Sequence, residues 1–173
     1  MTSVPGGINR VRLCRSAAAT IRREAVHSRD GDETGGIPLG LLHEGGAAEV
    51  RHAGDPGPVA VRRPTFFLRD LDHAQHLAEK AFTRDRSVWI GEWHTHPTSA
   101  PVPSDRDLDT YARLLADPDL RFDAVVAIIV SGQGDWTAPV ACAWVCYPDR
   151  AEAVPLVVHQ QRTEERMPLE DNR

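Results

Sequence analysis

His94 and His96 are separated by one residue in the run Gly91-Glu92-Trp93-His94-Thr95-His96-Pro97, and Asp107 follows in Ser104-Asp105-Arg106-Asp107. Two imidazoles and a carboxylate are the ligand types that zinc takes in a tetrahedral site. A catalytic zinc keeps three protein ligands and leaves one position open. Bound zinc lowers the pKa of water from about 15.7 toward about 7, which makes hydroxide available at neutral pH. A further carboxylate must accept the proton and return it to the leaving amine. Glu33, far upstream, is the candidate, and Ser104 is the candidate donor to the developing oxyanion.

Each part of this set has a plainer reading. Ser104-x-x-Asp107 is also a capping box, which needs no metal. A histidine pair can be two ordinary loop residues. It is the joint spacing that favours the metal.

The elements that must position these residues are legible in outline. Residues 87–94 read as a strand, with Val88, Ile90 and two tryptophans. If that strand persists, His94 and His96 project to the same side. Pro97, Pro101 and Pro103 make the next stretch a loop, which is expected to shape the substrate entrance. Ser104 opens a helix carrying Leu108, Tyr111, Ala112 and Leu115 at helical spacing, and Asp117-Pro118 stops it. Glu92 is either a partner of a ligand imidazole or a solvated strand residue.

Upstream, residues 16–28 read as an amphipathic helix with Ala17, Ile21 and Val26 inward and Ser16 as its cap. Glu33 leads into Gly35-Gly36, where the backbone can approach another segment closely. A buried strand follows at Ile37, Leu39, Leu41 and Leu42, and Pro38 within it calls for an edge, a bulge or a later start. Short strands are expected near 47–52 and 59–63. A helix from 70 to 82 turns Leu71, Ala74, Leu77, Ala78 and Ala81 inward and leaves His73 and His76 solvated. Residues 122–130 are nearly all apolar and read as a central strand buried on both faces. Residues 137–147 return as its antiparallel partner, and 154–158 form a last strand. The result is a single-domain α/β sandwich with a mixed, mostly antiparallel sheet flanked by helices. Its expected limits are 12–159, with a flexible arm at 1–11 and a polar tail at 160–173.

A chain of 173 residues fits one domain and folds without a structural metal, so a metal is free to be catalytic. The net charge of −5 argues against a broad nucleic-acid or anionic-membrane surface. No apolar run approaches a membrane span, and the N-terminus lacks the pattern of a signal peptide. Cys14, Cys142 and Cys146 are an odd set that fits a reducing cytoplasm, and the last two read as core residues on one strand face.

His94-x-His96, seven residues, Ser104, two residues and Asp107 resemble the JAMM motif of the JAB/MPN metallopeptidases. Glu33-Thr-Gly-Gly-x-x-x-Gly resembles the segment that carries the catalytic glutamate in bacterial members. The resemblance covers roughly residues 33–147 and implies the α/β sandwich of that family, which is like that of the cytidine deaminases. It implies Zn2+ on His94, His96 and Asp107, Glu33 as general acid/base and Ser104 as oxyanion stabiliser. The activity it implies is hydrolysis of the peptide or isopeptide bond after a ubiquitin-like C-terminus. The wording around the histidines looks bacterial, which implies a conjugation or antiphage-defence setting with E1-like and E2-like enzymes. Thr95 stands where many members have Ser, and Pro38 where members have an apolar residue. Two other readings stay open: a zinc peptidase acting on a sulfur-carrier protein or small peptide, and an inactive MPN scaffold that binds a partner.

Overall fold

Val11, Leu13, Ala48 and Val50 alternate inward along two neighbouring strands, β1 (Arg10–Cys14) and β4 (Ala47–Ala53), and start one half of the core. The computed structural model describes residues 7–28, 30–133 and 136–159. The expected tail and residues 1–6 of the expected arm lie outside them. The rest of that arm is built into the fold, because Ile8 is buried and β1 begins at Arg10.

Strands β1 and β4 belong to a five-stranded sheet of order β12-β1-β4-β3-β7. It includes β3 (Pro38–His43), β7 (Val88–Trp89) and β12 (Leu156–His159). A second sheet has the order β11-β10-β9-β8-β2. It contains β2 (Gly35–Gly36), β8 (Gly91–His96), β9 (Val125–Ser131), β10 (Val140–Cys146) and β11 (Ala151–Val154). The remaining strands, β5 (Val61–Arg63) and β6 (Phe66–Leu68), form a separate hairpin. Both large sheets are mixed, with parallel pairs at β1/β12, β1/β4 and β8/β9 and antiparallel pairs elsewhere.

The α/β class is as expected, but the strands divide between two sheets because three runs change sheet at a corner. Ile90 is one corner: its N–H bonds Pro38 O in the first sheet at 3.2 Å, and its carbonyl accepts from Val126 in the second at 3.0 Å. Ile37 and Pro155 are the others, each with its carbonyl taken by Gly54 or Val11 at 2.8 Å. Strands that bend from one sheet into another are how such corners form. The expected strands at 87–94 and 154–158 are each two strands for this reason. Pro38 is harmless, because it is the first residue of β3 and needs no donor there. The ladder is irregular one step later, between Leu39 and Gly40.

Helix α1 (Arg15–His27) packs Ala17, Ile21 and Ala25, rather than Val26, into the main core beside Trp93, Val126 and Ile128. Cys14 occupies its cap position without a side-chain cap bond, and Ser16 instead donates to Arg51 O at 3.4 Å. Helix α2 (Leu71–Asp85) is capped by Asp70 and packs Ala74 and Ala81 on Ile37 and Leu39. Leu71, expected to face inward, is exposed in its first turn. Helix α3 (Asp105–Ala116) lays Tyr111 against Val125 and Ala127 of β9. Strand β9 is buried throughout, as its apolar run requires. No helix of the described residues is long and apolar enough to cross a membrane.

Candidate metal centre

Strand β8 persists through His96, so His94 and His96 do project to one side, where the start of α3 faces them. His94 Nε2 and His96 Nε2 lie 3.1 Å apart. Asp107 Oδ1 is 3.4 Å from His94 Nε2, and Asp107 Oδ2 is 3.3 Å from His96 Nε2. Ligands at ~2.0–2.1 Å around a tetrahedral zinc stand ~3.3–3.4 Å from one another, and these separations are of that order, with each imidazole facing a different oxygen of Asp107. Both histidines are buried. His96 Nδ1 faces the Ala100 carbonyl at 3.0 Å. The carbonyl takes the proton on Nδ1, so Nε2, which here faces Asp107, is the nitrogen left for a metal, and Ala100 stands where the outer partner of a metal-bound imidazole does. The donor set therefore fits zinc.

The capping box leaves the Asp107 carboxylate facing the two imidazoles. Ser104 N–H and Ser104 Oγ each donate to Asp107 Oδ2 at 2.7 Å, and Asp107 N–H donates to Ser104 Oγ at 3.3 Å. The cap holds the carboxylate at a fixed angle toward the imidazoles. Burial opposes ionisation of Asp107, but the hydrogen bonds from His94 and His96 hold it far below the usual carboxylate range. Burial lowers the pKa of His96, yet the Asp107 hydrogen bond, the Ala100 carbonyl and nearby negative charge outweigh it and raise the pKa above the ordinary value.

Glu33, His94 and Asp107 line the same cleft, of about 680 Å³, together with Phe66, Arg69 and Arg106. Burial pushes the Glu33 carboxyl above its ordinary value, against the pull of His94 and His96. The Gly35-Gly36 pair explains how Glu33 arrives there. Strand β2 pairs with β8 at Gly35↔His94 and Gly36↔Trp93. A Cβ on Gly35 would meet the Trp93 carbonyl and stand 2.9 Å from His94 Cβ, and one on Gly36 would strike the Gly54 carbonyl. Only glycine permits this approach.

Residues 15–147 match the family of prokaryotic homologs of the JAB domain. The chain belongs to this family. A Pseudomonas aeruginosa protein named CD-NTase/cGAS isopeptidase is 33% identical over 134 residues, covering 68% of this chain and 83% of that protein. Proteins of the same name from Escherichia coli and Vibrio cholerae are 33% and 27% identical over 81 and 106 residues, covering 46% and 60% of this chain. These alignments span only 51% and 64% of those proteins' own lengths. A solution structure of a Desulfitobacterium hafniense protein shares the fold, with a TM-score of 0.62 at 20% identity over 87% of this chain and 94% of that one.

Several contacts around this site escaped sequence reasoning. Thr95 is fully buried, and its Oγ1 accepts from Thr34 N at 2.9 Å while its own N–H bonds Thr34 O at 2.8 Å. It fastens the residue next to Glu33, a task that any short hydroxyl side chain could perform. The 97–103 loop buttresses His96 through Ala100, and Pro101 O accepts from Trp144 Nε1 at 3.0 Å. Glu92 is neither an imidazole partner nor solvated, because it pairs with Arg69, which stacks on Trp89. Trp93 is the core tryptophan and also reaches the cleft wall. Composition gives no sign of these contacts, which all cross between elements.

A second ligand-like group lies elsewhere in the chain. Cys14 Sγ and Glu49 Oε1 are each 3.6 Å from His159 Nε2. Arg12 Nη2 stands 3.5 Å from His159 Nδ1, so a cationic guanidinium lies on the far side of this ring. Arg51 Nε and His43 Nε2 already engage Glu49 Oε2 at 3.0 and 3.2 Å. This is an ion-pair cluster on the strands. All three cysteines are free; Cys146 is buried with its thiol pushed up to about 11 by burial, while Cys142 is half-buried.

Proposed function

We propose that this chain is a zinc-dependent isopeptidase or peptidase that cuts the bond following the C-terminus of a ubiquitin-like modifier. The relatives' name extends the proposed substrates to a CD-NTase held in an isopeptide bond. The observation that carries the reading is the cluster of His94, His96 and Asp107, in which the two Nε2 atoms lie 3.1 Å apart and Asp107 sets one oxygen 3.4 Å from His94 and the other 3.3 Å from His96. When bound there, zinc would polarise a water and the scissile carbonyl as a Lewis acid.

The chain's own residues supply the rest. Glu33 takes a proton from the attacking water and hands it to the leaving nitrogen. Burial raises its pKa, which favours holding the proton between the two transfers. Asp107 stays ionised and neutralises cationic charge. Ser104 Oγ donates to Asp107 Oδ2 in this state; turning the hydroxyl toward the oxyanion leaves the Ser104 N–H on the same oxygen, so the carboxylate stays placed. A cytoplasmic conjugation or antiphage-defence system with E1-like and E2-like partners is part of this proposal, and the three free cysteines fit a reducing compartment.

The test is zinc content and cleavage of two probes. One is a linear fusion of a bacterial ubiquitin-like protein to a reporter domain, and the other is a CD-NTase carrying the same reporter. Wild type is expected to hold one zinc and cleave at least one probe. Glu33→Ala is expected to keep the zinc and lose turnover by about 10²- to 10⁴-fold. Native protein without zinc, or Glu33→Ala with unchanged turnover, sinks the reading.

A further inference from the structure

Glu33 lies outside any β-ladder. It stands between the turn at Asp30-Gly31 and the two-residue strand β2, which is the edge of its sheet. Its backbone finds its partners on the β5–β6 hairpin instead. Glu33 N–H donates to Arg63 O at 2.9 Å, and the Glu33 carbonyl accepts from Arg62 Nε at 3.2 Å. The same guanidinium reaches the Asp32 carbonyl at 3.4 Å and grips the Asp30 carboxylate at 2.9 and 3.1 Å. One rigid fork thus binds three residues of the approach to Glu33, a geometry that a flexible ammonium cannot reproduce. The far end of the hairpin is fixed as well. Arg106, next to Asp107, donates to Thr65 O at 2.8 Å and lies over the Phe66 ring at 5.6 Å. The hairpin therefore spans from the Glu33 segment to the helix that carries Asp107.

We propose that Arg62 is the positioning residue of the site: through the Glu33 carbonyl and Asp30 it locks the Glu33 backbone, and with it the distance from the Glu33 carboxylate to the reacting water. This rests on the reading of Glu33 as the proton carrier. Arg62 touches no metal ligand in the structure. A displacement near 1 Å at a reacting group costs roughly 10²-fold in rate, so the effect belongs in kcat.

The experiment compares Arg62→Ala, Arg62→Lys, Asp30→Ala and the Asp30→Ala/Arg62→Ala pair on whichever linear reporter fusion the wild type cleaves, with zinc content and thermal midpoint measured alongside. Arg62→Ala is expected to lower kcat about 10- to 100-fold with zinc retained and KM within about threefold. Arg62→Lys keeps one donor and recovers part of the loss. Asp30→Ala gives a smaller loss, and the pair is no worse than Arg62→Ala alone, because both residues act in one unit. An unchanged kcat, a loss confined to KM, or additive losses overturns the proposal; the KM outcome would make the hairpin a substrate contact only. Should Arg62→Ala unfold at the assay temperature, Arg62→Lys and Asp30→Ala decide by the same kcat criterion. Glu33→Ala runs in parallel: if it retains turnover, the reading of Glu33 fails, whereas its loss beside a fully active Arg62→Ala overturns only the role of Arg62.

Discussion

His94, His96 and Asp107 in one place, and Cys14, Glu49 and His159 in another, each bring three ligand-type atoms within 4.8 Å of one another. Proximity alone does not separate the two groups. What separates them is the partner on the far side of each histidine. His96 gives its Nδ1 proton to the neutral Ala100 carbonyl, which leaves Nε2 as the nitrogen a metal would take. His159 instead has the cationic Arg12 guanidinium 3.5 Å from Nδ1, while its Nε2 faces Glu49 and Cys14. The carboxylates differ in the same way. Asp107 is held by the neutral donors of Ser104 and faces the imidazoles, whereas Glu49 is already engaged by Arg51. A metal site is thus defined as much by the groups that set its protons as by its ligands.

That contrast can be broken by experiment. The largest effect should come from Asp107→Ala, which is expected to abolish both zinc binding and cleavage, while Glu49→Ala leaves one zinc per chain. Metal analysis after dialysis checks this, and zinc lost from Glu49→Ala would reverse the assignment of the two groups. A smaller effect is expected from Ser104→Ala, which removes a helix cap and an anchor of the Asp107 carboxylate. It should weaken zinc binding about 10-fold and lower stability by about 1 kcal/mol, read by competition with a chromogenic chelator and by urea unfolding.

The smallest effect concerns pH. Although burial opposes it, the hydrogen bonds from Arg51 and His43 hold the Glu49 carboxyl below its ordinary value of 4.5. A group depressed in the folded state adds stability that is fully present above its unfolded pKa and is lost as pH falls through the lower folded value. Glu49→Gln should therefore cost about 1 kcal/mol at neutral pH and flatten the acid side of the stability curve. An acid limb that keeps its wild-type slope would show that Glu49 is not the group responsible.

The sequence alone offered the candidate ligand types, their order and the elements that hold them. Two histidines on a strand, a Ser-x-x-Asp helix start and a glutamate before paired glycines are local patterns, written in period, turn chemistry and spacing. It also showed the central strand at 122–130 and the α/β class, because an unbroken apolar run has few places to go. It did not show that the expected strand at 87–94 bends from one sheet into the other at Ile90, since a corner is decided by which neighbours take its N–H and its carbonyl. Nor could it choose between cap and ligand for Asp107, because a carboxylate has two oxygens and the two roles exclude each other only on paper. Partners brought together from distant parts of the chain decided the rest: the Ala100 carbonyl behind His96, Thr95 beneath Thr34 and Arg62 behind Glu33. Those contacts set protons and angles, and they arise from long-range packing that no local pattern encodes.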